Sequence, residues 1–124
     1  MSRNVISTNI HKRKLIRQLE KLSDKTDKAI WEKVAEILSR SRRKRVAVNI
    51  GKINRLANDG EIIIVPGRVL GGGLLEKKLV VIAESFSKTA WQKILDNGGK
   101  PYTLYDVVSN PSLVEGKKGL KLVI

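Results

Sequence analysis

The segment VPGRVLGGGLLEKK, residues 65–78, places one proline and four glycines between two runs of aliphatic residues. Proline lacks a backbone donor and glycine adopts conformations that other residues avoid, so a regular helix is excluded across this segment. We predict that Pro66 stops a strand over residues 61–67 and that the chain bends at residues 71–73. Glycine clusters are typical both of phosphate-binding loops and of close approaches between backbones.

Neither common nucleotide-binding motif fits this segment. Gly67 and Gly72 have the spacing of a P-loop, but Gly73 and Leu74 stand where that motif needs lysine and a hydroxyl residue. The dinucleotide-binding motif requires a helix after its glycines, whereas a strand is predicted here over residues 77–83. The residues therefore favour a structural bend that brings the backbone close to RNA or to the protein's own core.

The surrounding hydrophobic pattern predicts a mixed α/β fold. Apolar residues at helical spacing predict one helix from His11 to about Leu22 and a second from about Asp27 to Arg40. Short β-branched runs predict strands over residues 46–50, 61–67, 77–83 and 120–124. We interpret the chain as one domain with three parts: an arm over residues 1–10, a basic helical region over 11–45 and an α/β core over 46–124.

A further helix is predicted after Ser87, which is a favourable N-cap residue. Phe86 and Trp91 have the spacing of a hydrophobic staple across its first turn. Its predicted buried face consists of Ala90, Trp91, Ile94 and Leu95. Gly98 is expected to end the helix with a positive φ. We also expect Trp31 to be a core residue rather than a surface for stacked bases.

The charge is strongly one-sided. The chain has 25 Lys and Arg against 12 Asp and Glu, a net charge of +13. Residues 1–55 carry 16 of the basic and 5 of the acidic side chains. Such an excess indicates a polyanionic partner, most often nucleic acid, rather than a merely soluble surface. The arginine-rich stretch 40–45 favours contacts to the phosphates of structured RNA. A basic DNA-binding protein, associated with the nucleoid or with transcription, remains the alternative.

Several other classes of function are disfavoured. The chain has no cysteine and a single histidine, His11, which excludes thiolate zinc sites and histidine clusters. Its acidic residues are scattered, so no catalytic pair is indicated, and we expect no enzyme activity, cofactor, metal or small-molecule substrate. No apolar run approaches the ~20 residues of a membrane span. The N-terminus lacks a signal-peptide pattern, so we expect a cytoplasmic protein without a membrane partner.

The glycine-rich segment and the residues after it resemble a known family. Pro66-Gly67, Val69-Leu70-Gly71, Gly73 and the valine-rich strand 79–82 are followed by a Phe-Ser…Ala…Ile…Gly-Gly pattern over residues 86–99. This combination is similar to the archaeal and eukaryotic large-subunit ribosomal protein eighteen-e family, a relative of bacterial large-subunit protein fifteen. Residues 8–10 and 48–67 also resemble that family, and the short chain is similar to its archaeal members.

The resemblance implies a structural component of the large ribosomal subunit, located on cytoplasmic ribosomes. It implies binding to large-subunit rRNA and to neighbouring ribosomal proteins, and a fold described as an irregular superhelix of strand-strand-helix units after two basic N-terminal helices. We predict that basic side chains contact the rRNA, mainly from residues 1–55. The predicted RNA-binding residues are Arg3, His11, Lys12, Arg13, Lys14, Arg17, Arg40, Arg42, Arg43, Lys44, Arg45, Lys52, Arg55, Arg68, Lys77, Lys78, Lys117 and Lys118.

Overall fold

A computed structural model describes residues 2–26, 28–40, 46–113 and 120–124. These residues form five helices and five strands. The helices are α1 (Ser2–Thr26), α2 (Ala29–Leu38), α3 (Ile50–Leu56), α4 (Lys88–Asp96) and α5 (Leu104–Ser109), followed by a 3-10 turn over Pro111–Leu113. The strands are β1 (Val46–Asn49), β2 (Ile62–Leu70), β3 (Val80–Phe86), β4 (Lys100–Thr103) and β5 (Leu120–Leu122). The predicted mixed α/β class is confirmed.

The five strands form one parallel sheet in which β2 is central. Strand β3 lies along one side of β2, and β4 pairs with the far side of β3. The other side of β2 is shared, because β5 pairs with its residues 62–64 and β1 pairs with its residues 67–70. Parallel strands need crossover connections. Helix α3 connects β1 to β2 and helix α4 connects β3 to β4, whereas residues 71–79 connect β2 to β3 without a helix. A single continuous parallel sheet is more regular than the predicted superhelix of separate units.

Two hydrophobic cores cover the two faces of the sheet. On one face, α1, α2 and α5 pack over Ile62, Ile64 and Ile82. On the other face, α3 and α4 pack over a set that includes Ile63, Val65 and Val81. Alternate residues of β2 and β3 therefore point into different cores, as the period of a strand requires. Since both faces are covered, residues 62–65 of β2 and 80–83 of β3 are all apolar, which made these runs visible in the sequence.

The N-terminal helix is longer than predicted. It begins at Ser2 rather than at His11, and it continues through Ser23 to Thr26 rather than ending near Leu22. The residues expected to form a separate arm therefore belong to this helix. The hydroxyl groups of Ser23 and Thr26 bond to backbone carbonyls of Lys28 and Leu22, so polar residues that suggested a break are accommodated at the helix end. Helix α2 carries Glu32, Lys33 and Glu36, so it is not itself basic.

The prediction that Pro66 stops the strand is wrong. Strand β2 runs through Pro66 and Gly67 to Leu70. The β2–β3 register shifts between Val65 and Arg68, so the missing N–H of Pro66 falls where the ladder is already irregular. Gly67 pairs with Val46, and an added Cβ there would lie 2.1 Å from the Val46 carbonyl oxygen. Pro66 and Gly67 thus do not turn the chain out of the sheet; Gly67 lets β1 lie close to β2.

The helix after Ser87 is confirmed, with one correction to its buried face. The Ser87 hydroxyl accepts a hydrogen bond from the backbone N–H of Ala90. The rings of Phe86 and Trp91 contact each other as predicted, and Gly98 has a φ of +78°. Ala90 and Ile94 are fully buried, but Trp91 and Leu95 are 39% and 45% exposed. The strand predicted at 77–83 is also displaced, to Val80–Phe86.

Candidate nucleic-acid interface

The solvent side of α1 carries a row of cations. Its buried side is formed by Leu15, Leu19 and Leu22, which lie in the core shared with α2. The opposite side is exposed and, at 3.6 residues per turn, its basic residues occupy roughly 120° of the helix circumference. We call this set the α1 stripe; it consists of Arg13, Lys14, Arg17, Lys21 and Lys25. The sequence predicted the first three.

The α1 stripe is electrostatically unsatisfied within the described part of the chain. No ion pair or hydrogen bond to another described residue involves the side chains of its five members. Glu20 and Asp24 are exposed on the same helix, but they are outnumbered by the cations. A row of cations that outnumbers the carboxylates of its helix and forms no ion pair with a described residue favours an external anion.

A second group of cations lines a small cavity beside the start of β1 and residues 66–68 of β2. The cavity has a volume of about 170 Å³ and lies between α1, α2 and the sheet. Lys12, Arg40 and Arg68 line it together with Glu84 and Ser85. We call it the Arg68 pocket. It brings together three predicted RNA-binding residues from α1, from the end of α2 and from β2, which the sequence did not indicate to be neighbours.

Arg68, which lines this pocket, directly follows the irregularity in β2. Arg68 pairs with Ala47 on one side and with Ser85 on the other, and it is exposed although its strand is otherwise mostly buried. The Lys12 ammonium lies 3.9 Å from the Glu84 carboxylate. The Arg40 guanidinium lies 3.9 Å from the Glu36 carboxylate. These long, partly exposed pairs contribute little to stability. They leave the arginine donors available to another acceptor.

The arginine-rich segment starts and ends beside the Arg68 pocket. Arg40 and Val46, which flank residues 41–45 in the chain, both line the cavity. The predicted RNA-binding residues Arg42, Arg43, Lys44 and Arg45 lie outside the described residues, as do Lys117 and Lys118. Arg3 and His11 fall within α1, at positions whose side chains are also outside the described part.

Two of the predicted RNA-binding lysines bond to the protein itself. The ammonium of Lys77 donates to the backbone carbonyls of Asn54 and Ala57, at the end of α3. The ammonium of Lys52 donates to the carbonyl of Ile124, at a distance of 2.7 Å. Both therefore hold carbonyl groups that have no partner within a helix or strand. Of the remaining predicted residues, Arg55 and Lys78 are exposed.

The glycine-rich segment packs against the protein's own backbone. The N–H of Gly51 donates to the carbonyl of Gly72, and a Cβ added to Gly73 would lie 2.6 Å from the Cα of Gly51. The ammonium of Lys93 donates to the carbonyls of Gly71 and Gly73. These contacts join the start of α3 to α4. The sequence predicted a bend that brings the backbone close either to RNA or to the protein's own core. These contacts support the second of the two possibilities.

The described residues offer little to other chemistries. Among them, no three His, Cys, Asp or Glu side chains are grouped as a metal site would require. Within the same ranges, no helix is both long and apolar enough to cross a membrane. Burial of part of its ring and, to a smaller extent, the charge of Glu84 raise the pKa of Tyr105.

Comparison with known proteins identifies relatives over nearly the whole chain. Residues 1–118 match the family described as ribosomal protein 60S L18 and 50S L18e. The large ribosomal subunit protein eL18 of Sulfolobus acidocaldarius is 50% identical over 111 residues, which cover 90% of this chain and 91% of that protein. The same protein of Methanothermobacter thermautotrophicus is 44% identical over 124 residues, with 99% of each chain covered.

More distant relatives carry the same name. The large ribosomal subunit protein eL18 of Methanococcus maripaludis is 38% identical over 122 residues, covering 98% of both chains. The family is one of ribosomal proteins and not of enzymes, in agreement with the interpretation drawn from the scattered acids. The resemblance seen in the glycine-rich segment is thereby confirmed, and the chain belongs to the family of ribosomal proteins 60S L18 and 50S L18e.

Proposed function

We propose that this protein is a structural constituent of the large ribosomal subunit, which binds large-subunit rRNA and packs against neighbouring ribosomal proteins on cytoplasmic ribosomes. Its relatives are named large ribosomal subunit proteins. The observation that carries the RNA-binding part is the α1 stripe, because its cations form no ion pair with another described residue and outnumber the carboxylates of the helix. The Arg68 pocket supplies a second contact to the same RNA.

The α1 stripe is suited to a run of phosphates rather than to a single one. From Arg13 to Lys25 the helix rises by about 18 Å at 1.5 Å per residue. This length spans several nucleotides of an RNA backbone, and each neutralised phosphate releases counterions. Long lysine and arginine side chains reach phosphates of differing geometry, so the stripe recognises the shape of folded RNA rather than its base sequence.

The Arg68 pocket is suited to a more specific phosphate contact. A guanidinium group can donate two parallel hydrogen bonds to one phosphate, and both Arg40 and Arg68 line the cavity. The pocket lies beside the sheet, so its donors are held on a rigid frame. Arg42, Arg43 and Arg45 stay predicted contacts, because Arg40 and Val46, the described residues on either side of them in the chain, line the pocket.

The proposal is tested with two double variants, each of which removes two positive charges. Lys14→Gln with Lys21→Gln removes two charges from the α1 stripe, and Lys33→Gln with Lys100→Gln removes two exposed charges outside both candidate sites. Binding to an in-vitro transcribed archaeal large-subunit rRNA is measured through a salt series. We expect the stripe pair to weaken binding and to lower the slope of log affinity against log salt by about 2, since each lost phosphate contact lowers it by about 1. The control pair should leave the slope unchanged.

Two results would contradict the proposal. Equal effects of the two pairs would mean that only net charge matters and that the stripe is not an interface. Duplex DNA that competes as well as the folded rRNA would favour the alternative of a DNA-binding protein. Co-sedimentation of the unmodified protein with large subunits through the same salt series tests the assignment to the ribosome.

A further inference from the structure

Trp91 is a large aromatic side chain on the surface of α4. It is 39% exposed, whereas the other tryptophan, Trp31, is fully buried. The core beneath α4 is filled by Ala90 and Ile94 without it. Exposing an indole forgoes the stabilisation that its burial would give, so its position calls for a use outside the core.

The indole ring is held in place by its neighbour. The ring centroids of Phe86 and Trp91 lie 5.4 Å apart and their planes meet at 79°. In such an edge-to-face pair, Phe86 covers at most one face of the indole. Phe86 closes strand β3, and the first turn of α4 is fixed by the Ser87 cap, so the ring is mounted on two regular elements.

A cation lies near the ring. Lys88 precedes Trp91 by three residues, which makes the two neighbours on the helix surface, and it is exposed. Lys88 forms no ion pair with another described residue.

We propose that Trp91 is a stacking platform for one unpaired nucleotide of the large-subunit rRNA, with Lys88 contacting a phosphate beside that nucleotide. This inference rests on the proposed function. An aromatic ring stacks on any base, and its combination with basic neighbours is the general means by which proteins hold single-stranded nucleotides. The exposed apolar surface of α4 consists of Trp91 and Leu95, which suits one base better than the roughly 800 Å² that a stable protein interface needs on each side.

The test uses Trp91 as its own reporter. Trp31 is buried, so a change of tryptophan fluorescence on adding the transcribed rRNA is assigned to Trp91 by subtracting the signal of Trp91→Leu. We expect quenching in the unmodified protein and none in the variant. Trp91→Leu should weaken rRNA binding by roughly 5- to 150-fold, the effect of losing one stacked base, while Trp91→Tyr retains most of the affinity. The salt slope should be unchanged, because no phosphate contact of Trp91 is lost.

Leu95→Ala is the matched control, since it removes exposed apolar surface one turn away without removing a ring. It should leave rRNA affinity unchanged. An equal loss in Leu95→Ala and Trp91→Leu would overturn the stacking proposal, as would fluorescence that changes only in complete large subunits, which would indicate a protein partner. Circular dichroism of each variant verifies that its fold is retained. If the lysine pair of the α1 stripe weakens binding but Trp91→Leu does not, the proposed function survives and this inference fails.

Discussion

At the scale of single residues, glycine is required at some positions for two separable reasons. Gly60 and Gly73 both have positive φ, of +83° and +95°. A Cβ added to Gly60 meets nothing within 4 Å, whereas one added to Gly73 lies 2.6 Å from the Cα of Gly51. Gly60 is therefore required by its conformation alone, and Gly73 by its conformation and by the close packing of the glycine-rich segment on α3.

Alanine substitutions separate these two reasons. We expect Gly60→Ala to lower the free energy of unfolding by about 1–2 kcal/mol, the cost of a left-handed conformation for a residue with a Cβ. Gly73→Ala should cost about 1–3 kcal/mol more, because the backbone of Gly51 or Gly73 must move to relieve the contact. Urea denaturation of both variants measures the difference. Equal losses would show that the two segments separate freely and that their contact adds no constraint.

The roles of individual lysines could not be predicted from the sequence. Lys77 and Lys78 are adjacent, yet the ammonium of Lys77 bonds to carbonyls of Asn54 and Ala57 while Lys78 is exposed. Lys93, in a helix with no basic pattern, holds the carbonyls of Gly71 and Gly73. The acceptors lie some twenty residues away in the chain, and only the fold brings them to the ammonium group. The sequence shows that these residues are basic, but it does not show which anion or carbonyl each of them contacts.

At the scale of elements, α4 was predicted well because its signals are local. The cap at Ser87, the Phe86–Trp91 contact and the glycine at its end lie within the helix and its flanks. We expect Ser87→Ala to destabilise the protein by about 1 kcal/mol, since the N–H of Ala90 loses its acceptor. Ser87→Asp keeps an acceptor and should be nearly neutral. Thermal unfolding of the two variants measures this; equal stability would mean that water replaces the cap without loss.

The extent of β2 was predicted less well because its determinants are distant in the chain. Pro66 is a reliable strand breaker only where its missing N–H would be needed. Here the register with β3 shifts at that point, and β1 approaches Gly67 from the other side. That arrangement depends on residues 46–49 and 80–86, so the local pattern around Pro66 could not indicate it. The Arg68 pocket was also absent from the predictions, because its lining comes from α1, from α2 and the residues after it, and from three strands.

At the scale of the whole molecule, composition identified the class of partner but not the surface that meets it. The excess of charge over residues 1–55 indicated a polyanion. The sheet order then determines which cations share a surface, because Lys12, Arg40 and Arg68 meet only through the packing of α1 and α2 on the strands. Trp91 was expected in the core for the same reason: its helical pattern does not reveal that Ala90 and Ile94 suffice to fill the space below α4.

The net charge of +13 predicts opposite effects of salt on folding and on RNA binding. In the free protein, like charges repel one another in the compact state and salt screens them. Raising NaCl from 20 to about 200 mM, a range over which the screening length falls severalfold, should therefore stabilise the free protein by about 1 kcal/mol, or roughly 4 °C in Tm. Over the same range the affinity for rRNA should fall, because released counterions favour binding less.

Scanning calorimetry of the free protein, beside the binding series, measures both trends. The pair Lys33→Gln with Lys100→Gln lowers the positive charge by two, so its Tm should respond less steeply to salt, while its binding slope stays that of the unmodified protein. The stripe pair should reduce both responses, since Lys14 and Lys21 repel their neighbours in the free protein and contact phosphates in the complex. A Tm that is independent of salt would contradict this prediction, because it would mean that repulsion among the excess charges does not destabilise the free protein.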